Sequence, residues 1–180
     1  MSIRGRKIFI LSDSHFFHKR VCEFSNRPKN FAEKLKKNWQ QLVKPKDTVI
    51  HLGDVIFGNK EQLTDILKDL PGQKILIRGN HDKGHSDNWF IDAGFSFVCQ
   101  VIVIKDIILS HRPFSLISQD LFSNIHGHFH NIPQKQWEKN LVDRLTEKHY
   151  LFSLEMVDYK PILLDEAIPK GLVVLSKNVK

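Results

Sequence analysis

Cysteine is nearly absent: Cys22 and Cys99 are the only two in 180 residues, far apart and outside any C-x-x-C spacing. That excludes a disulfide framework and a cysteine zinc knuckle, and it fits a reducing cytoplasm. Long apolar runs are missing too. The longest, Phe95 to Ile104, is interrupted by Ser96 and Gln100 and falls well short of the ~20 residues a membrane span needs. The first apolar run, Ile8-Phe9-Ile10-Leu11, is too short for a signal-peptide core and has no small-residue cleavage site after it. A soluble, cytoplasmic chain with no membrane contact is expected. Internal repeats and low-complexity segments are also lacking, which excludes a repeat architecture.

What is present suits one globular domain over residues 1–180, since 41% hydrophobic content at this length supports one substantial core and not two. The net charge of +7, from 27 basic and 20 acidic residues, suits an anionic partner such as a nucleotide, a nucleic acid or an acidic surface. Most of the lysines lie in mixed, helical segments, where they can equally be a solvated face.

Strands and helices alternate over the first half. Lys7 to Leu11, Asp47 to Leu52 and Lys74 to Arg78 read as short buried strands. Between them, Asn30-Phe31-Ala32-Glu33 has the form of a capping box, with Phe31, Leu35, Trp39, Leu42 and Val43 on one helical face before Pro45. Asn59 and Gln62 form a second such box, ahead of Leu63, Ile66, Leu67 and Leu70 and a stop at Pro71-Gly72. This repetition argues for a largely parallel sheet. A short helix is expected over Asp87 to Ala93, closed by Gly94. Phe95 to Ile104 and Ile107 to Leu109 read as an antiparallel hairpin turning at Lys105-Asp106, where a second sheet begins. Further on, 134–149 reads as an amphipathic surface helix carrying Trp137, Leu141, Val142 and Leu145. Tyr150 to Val157 and Pro161 to Leu164 read as strands.

Ligand-type side chains gather at the strand ends. Ile125-His126-Gly127-His128-Phe129-His130 packs three imidazoles around one glycine. Two histidines one residue apart in extended chain face the same way, and neutral imidazole is a common metal ligand. Alone, the stretch can be a solvated turn. It is accompanied by Asp13-Ser14-His15, Gly53-Asp54, Gly79-Asn80-His81-Asp82 and Ser110-His111. In α/β sheets, ligand sites lie at the carboxyl ends of strands.

In order and spacing, these five motifs resemble the calcineurin-like metallophosphoesterases, whose pattern is D-x-H, G-D, G-N-H-D/E, a lone histidine and G-H-x-H. The likeness runs from Asp13 to His130. The compact form, with Asp158-Tyr159-Lys160-Pro161 near the end, resembles a small bacterial and phage group of the family. The resemblance implies an α/β fold of two stacked mixed β-sheets flanked by helices, a four-layer αββα sandwich. It also implies two metals about 3.5 Å apart. Asp13, His15 and His130 would hold the first, Asn80, His111 and His128 the second, and Asp54 would bridge them. Mixed oxygen and imidazole ligation favours manganese, with iron, zinc or cobalt as alternatives, over magnesium. Two divalent ions, two carboxylates and a bridging hydroxide leave a formal charge of about +1, which attracts phosphate.

By resemblance, His81 protonates the leaving oxygen or steadies developing charge, and Asp82 can orient it. Arg78 and Arg112 are candidates to hold phosphate, although a strand-end arginine is as often part of an ion pair. His18 lies near the first motif and is a candidate substrate contact. His51, His85, His126 and His149 read as structural.

Residues after the G-D motif, Val55-Ile56-Phe57-Gly58, lack the second aspartate and the arginine of protein phosphatases. The chain also has no room for the capping domain of the large nucleases. The expected activity is therefore metal-dependent hydrolysis of a phosphodiester or nucleotide-type bond by a two-metal-activated hydroxide, on a small nucleotide-like substrate. The alternatives are a nuclease for single strands, using Phe17, Phe24, Phe31 and Trp39 among basic residues, and a non-catalytic binding scaffold of the same fold. Those aromatics can equally be core.

Overall fold

The computed structural model describes residues 5–115, 122–133 and 136–179. In chain order its strands are β1 (Ile8–Leu11), β2 (Thr48–His51), β3 (Gln73–Ile77), β4 (Phe97–Cys99), β5 (Val101–Ile104), β6 (Ile107–Ser110), β7 (Ser123–His126), β8 (His149–Leu151), β9 (Ile162–Leu163) and β10 (Val174–Leu175). Its helices are α1 (Val21–Phe24), α2 (Phe31–Leu42), α3 (Lys60–Lys68), α4 (Asp87–Ala93), α5 (Lys139–Val142) and α6 (Leu164–Ala167). The strands form two mixed five-stranded sheets, ordered β4-β3-β2-β1-β9 and β10-β8-β7-β6-β5. In the first sheet β1 to β4 are parallel and β9 is antiparallel. In the second, β6, β7 and β8 are parallel, with antiparallel strands at both edges.

Strands covered on both faces need continuous apolar sequence. β1 is Ile-Phe-Ile-Leu, with all but its first residue buried. Ile10, Leu11, Ile50 and Ile77 of the first sheet share one hydrophobic cluster with Leu109, Ile125 and Phe152 of the second. This is the α/β sandwich the motifs imply. Helix α2 buries Phe31, Leu35 and Trp39, and the Trp39 indole donates to the Pro71 carbonyl at 2.9 Å, so its one polar atom is satisfied. The Asn59–Gln62 capping box forms, and α4 ends at Gly94 with φ 123°.

Several expectations need correction. Asn30 makes no side-chain cap: its backbone is at φ −95°, ψ 19°, not extended, because the Phe31 N–H bonds back to Pro28 and turns the chain before the helix. The Phe95 to Ile104 run is not one arm of a hairpin. It divides at Gln100, so that β4 joins the first sheet beside β3 and only β5 pairs with β6. An apolar run records burial and not the sheet that buries it. The strand expected over Tyr150 to Val157 stops at Leu151. Phe152 and Leu154 are buried all the same, inside turns closed by Met156 N–H to Ser153 and Tyr159 N–H to Leu154. The helix expected over 134–149 is reduced to the four residues of α5, and Gln134 and Lys135 lie outside the described residues. Trp137, Leu141 and Leu145 still pack together, with Phe129.

Two buried histidines act as structural pins. The Ser14 hydroxyl donates to the Val55 carbonyl, so His51 Nε2–H must donate to Ser14 and Nδ1 accepts from the Gly53 N–H. His126 Nδ1–H donates to the Gly127 carbonyl, and Nε2 accepts from Ser176. Both rings are neutral, since burial pushes each pKa down to about 3.

The stability they contribute is present above the unfolded pKa of about 6.5 and is lost as pH falls toward 3. Urea unfolding of metal-free protein should therefore weaken between pH 6.5 and 5. His126→Gln should flatten that slope by up to about 1.4 kcal/mol per pH unit. An unchanged slope would mean that His126 is not held neutral.

Candidate metal centre

The centre is built at neighbouring strand ends. β1 delivers Asp13 and His15, β2 delivers Asp54, β3 delivers Asn80 and His81, β6 delivers His111, and β7 delivers His128 and His130. Backbone bonds lock these loops together: Asp13 N–H to Gly53 at 2.9 Å, His15 N–H to Asp54 at 3.0 Å and Gly127 N–H to His111 at 3.0 Å.

Local geometry here is strained. Asp13, His15, Asp54, His128 and His130 have φ of 53°, 44°, 59°, 72° and 50°. A left-handed conformation at a non-glycine residue costs roughly 1–3 kcal/mol and persists only where surrounding structure over-determines it. Two glycines make room for the carboxylates. A Cβ at Gly79 would lie 2.0 Å from Asp54 Oδ1, and one at Gly127 would lie 2.4 Å from Asp13 Oδ2.

The side chains form two clusters, Asp13 with His15 and His130, and Asp54 with His111 and His128. Each can place its donor atoms within 4.8 Å of one another. In the first, His15 Nε2 and His130 Nε2 face each other at 3.2 Å, and each is 3.8 Å from Asp13 Oδ1. Asp13 Oδ2 accepts from the Ser12 hydroxyl at 2.5 Å and the His128 N–H at 3.0 Å. Asp13 Oδ1 is buried and accepts nothing. In the second cluster, His111 Nε2 is 2.9 Å from Asn80 Oδ1 and 3.4 Å from Asp54 Oδ2. Asp54 Oδ2 also lies 3.8 Å from His15 Nε2, so one carboxylate oxygen faces both clusters. An orphaned carboxylate oxygen beside two opposed imidazole nitrogens fits a cation, and this oxygen and nitrogen set suits divalent transition metals.

Charge states agree. Burial pulls the pKa of His15 and His128 down to about 4, leaving them neutral. Burial opposes ionisation of Asp13 and Asp54, but the surrounding histidines hold both below the ordinary carboxylate value. At His111 burial is overcome by Asp54 and Asp13, and the pKa rises to about 9.

The remaining site candidates are distributed around this pair. The His81 ring is 46% exposed, with Nε2 at 3.9 Å from Asp54 Oδ2, and the His81 backbone N–H donates to Asp54 Oδ1 at 2.9 Å. Asp82 is buried, and its carboxylate accepts from the N–H groups of Asp54, Val55 and Gly79. It ties two ligand loops together, and no described hydrogen bond joins it to the His81 ring. Arg78 binds Asp87 at 2.9 Å and the carbonyls of Asp82 and His85. Arg112 pairs with Glu138 at 3.0 Å. The His18 ring stacks on Phe57 at 3.8 Å and lies 5.3 Å from His15.

Sequence reasoning missed the supports behind the ligands. Arg27 and Glu155 form a buried ion pair at 2.7 Å. His130 Nδ1 lies 3.2 Å from Arg27 Nη2 and 3.5 Å from Glu155 Oε1. Burial works against the Glu155 charge, but His130 and Arg27 bring its pKa down to about 2. Glu138 accepts from His128 Nε2 at 3.0 Å. The signal for Glu155 was a single carboxylate in the apolar segment Phe152 to Val157.

Comparison with known proteins adds the following. The family described as calcineurin-like phosphoesterase matches residues 6–166. An uncharacterized protein of Methanocaldococcus jannaschii is 32% identical over 184 residues, covering 96% of this chain and 97% of its own. The Gene 66 protein of Mycobacterium phage L5 is 31% identical over 156 residues, covering 67% of this chain and 75% of that protein. The crystal structure of a protein of unknown function from Aquifex aeolicus aligns with a TM-score of 0.69 at 28% identity, covering 92% of this chain and 99% of that one. Among the described residues no helix is long and apolar enough to cross a membrane.

Metal retention after dialysis separates the support from the centre. Glu155→Gln should weaken metal retention by about 10–100-fold, because an outer partner of the candidate ligand His130 is lost, and Asp54→Asn, which removes a carboxylate that faces both clusters, should weaken it further. Wild-type metal retention by Glu155→Gln would remove its positioning role.

Proposed function

The chain belongs to the calcineurin-like phosphoesterase family, and from that premise we propose that it hydrolyses a phosphodiester or nucleotide-type bond with two divalent transition-metal ions. The observation that carries the reading is the unpartnered Asp13 oxygen between His15 and His130, beside a second cluster that shares Asp54. Asp13, His15 and His130 would hold one ion, Asn80, His111 and His128 the other, and Asp54 would lie between. Manganese suits the set, as do iron, zinc and cobalt. When bound, such ions supply an activated water and offset charge on the phosphoryl oxygens.

The chain's own residues do the rest. The Asp82 carboxylate gathers the loops after β2 and β3, and through them sets Asp54 against the His81 backbone. With nearly half of its ring in solvent and Nε2 beside Asp54, His81 is placed to give a proton to a departing oxygen. Phe57 packs 4.8 Å from His81 and stacks on His18, so these rings wall one side of the site.

A small substrate suits the surroundings. A cavity of about 240 Å³ over the ligands is bounded by Phe24, Phe129 and Trp137. Another of about 520 Å³ lies beyond His18, floored by Phe16, Phe31 and Ile66, within the size of small-molecule pockets. A second reading, cleavage of single-stranded nucleic acid, is favoured by one observation: Phe24 and Phe57, beside His130 and His81, are 46% and 40% exposed. Bases stack on such rings.

Metal-stripped protein, restored with each metal, should be assayed on monoesters, linear and cyclic diesters, dinucleoside polyphosphates and oligonucleotides. Stripping should abolish turnover, and full activity without metal would sink the reading. Oligonucleotide affinity that falls steeply with salt would favour the nuclease. His81→Ala should cost about 10²-fold or more on a poor alkoxide leaving group and markedly less on a nitrophenyl ester, with both metals retained. Equal losses would assign His81 to charge stabilisation instead.

A further inference from the structure

A cavity of about 230 Å³ borders His111, lined by Arg78, Asn80, Lys83, Gln100, His111 and Arg112 among others. We propose that it is a subsite for a second phosphate group, so that the substrate carries an anionic phosphate next to the one that is cleaved. The inference takes the position of the cleaved bond from the reading above, but the subsite itself is a claim about binding.

Three observations converge on it. Position comes first: Asn80 and His111, in contact at 2.9 Å, face both this cavity and the Asp54 cluster, so a group seated here adjoins the metal centre. Charge comes second. Among the described residues the lining holds Arg78, Lys83 and Arg112 and no carboxylate. The acids that pair with the arginines, Asp87 and Glu138, stand outside it.

The third observation is unsatisfied hydrogen bonding. The Nε–H groups of both Arg78 and Arg112 are buried and have no partner. A buried donor left unmade is unfavourable, because its hydration is lost with nothing in return. Neither atom is open to the cavity as the side chains stand, so an acceptor that arrives with the ligand reaches them only when the guanidinium groups turn toward it. A phosphate offers several acceptor oxygens and full negative charge, the combination guanidinium groups bind best. The outer groups of Arg78 are already held by Asp87 and two backbone carbonyls, so its guanidinium is a fixed positive charge in the cavity wall. The aromatic rings beside the centre, Phe24, Phe129 and Trp137, line a separate cavity that reaches His130. A bound substrate would thus run from an organic group beside His130 to its outer phosphate beside His111.

Calorimetric titration of metal-stripped protein with inorganic pyrophosphate reads the subsite without turnover. Binding should be seen, and Arg112→Gln and Lys83→Gln should each weaken it about tenfold, with thermal unfolding unchanged to show that both variants fold. No binding by the wild type, or wild-type affinity in both variants, overturns the proposal.

Metal-loaded protein supplies the second arm, using a thymidine dinucleotide with and without a terminal phosphate. The phosphate should lower KM about tenfold at equal kcat, and Arg112→Gln should bring the two KM values together. If both dinucleotides are cleaved with equal KM, the subsite fails and the phosphodiesterase reading survives. If neither is cleaved while pyrophosphate binding still depends on Arg112 and Lys83, the reading of the reaction fails and the anion subsite stands.

Discussion

Two carboxylates, Asp13 and Asp54, are buried almost completely within reach of His15, His111 and His130. Burying a charge is costly unless a counter-charge comes with it. Much of the architecture follows from that constraint. The strands stop at neighbouring points so that their loops can converge. The loops take left-handed turns at five ligand-type residues, and Gly79 and Gly127 let the backbone close against the carboxylates. Without metal, the counter-charge comes from inside. His111, with its pKa near 9, keeps a proton that Asp54 and Asp13 hold in place. Binding of cations would displace that proton and take over its role as counter-charge.

Around the ligands runs a second set of contacts with one logic. Glu155 and Arg27 stand behind His130, Glu138 behind His128, the Leu52 carbonyl behind His111, and Asp82 behind the Asp54 loop. Each fixes the orientation of one inward group. A ligand free to rotate would lose conformational entropy on every binding event, and a pinned one does not. The Glu138 contact reaches further, because the same carboxylate oxygen holds Arg112. The second cluster and the basic cavity beside it are therefore mechanically joined.

How much of this was legible in the chain depended on the range of the cause. The residues at the ends of β1, β2, β3, β6 and β7 could be read because a strand end and the ligand after it lie within a few residues of one another. The Asn59 cap was legible for the same reason, and Asn30 misled because a turn at Pro28 decides its backbone. Where causes are distant, the pattern was silent. The division of Phe95 to Ile104 between two sheets is set by which edge each half meets. Glu155 is far from His130 in sequence, and Asp82 belongs to the G-N-H-D motif while its carboxylate serves the backbone of another loop. Phe152 and Leu154 alternate as a strand would, yet turns bury them.

On the proposed reading, the two clusters that share Asp54 form one paired metal centre. Electron paramagnetic resonance of metal-stripped protein titrated with manganese tests this most directly, because two ions that share a carboxylate are magnetically coupled and two isolated ions are not. Uptake of two ions per chain is expected, with a coupled spectrum that appears as the second ion binds. A single ion per chain, or an uncoupled spectrum at full loading, would contradict it.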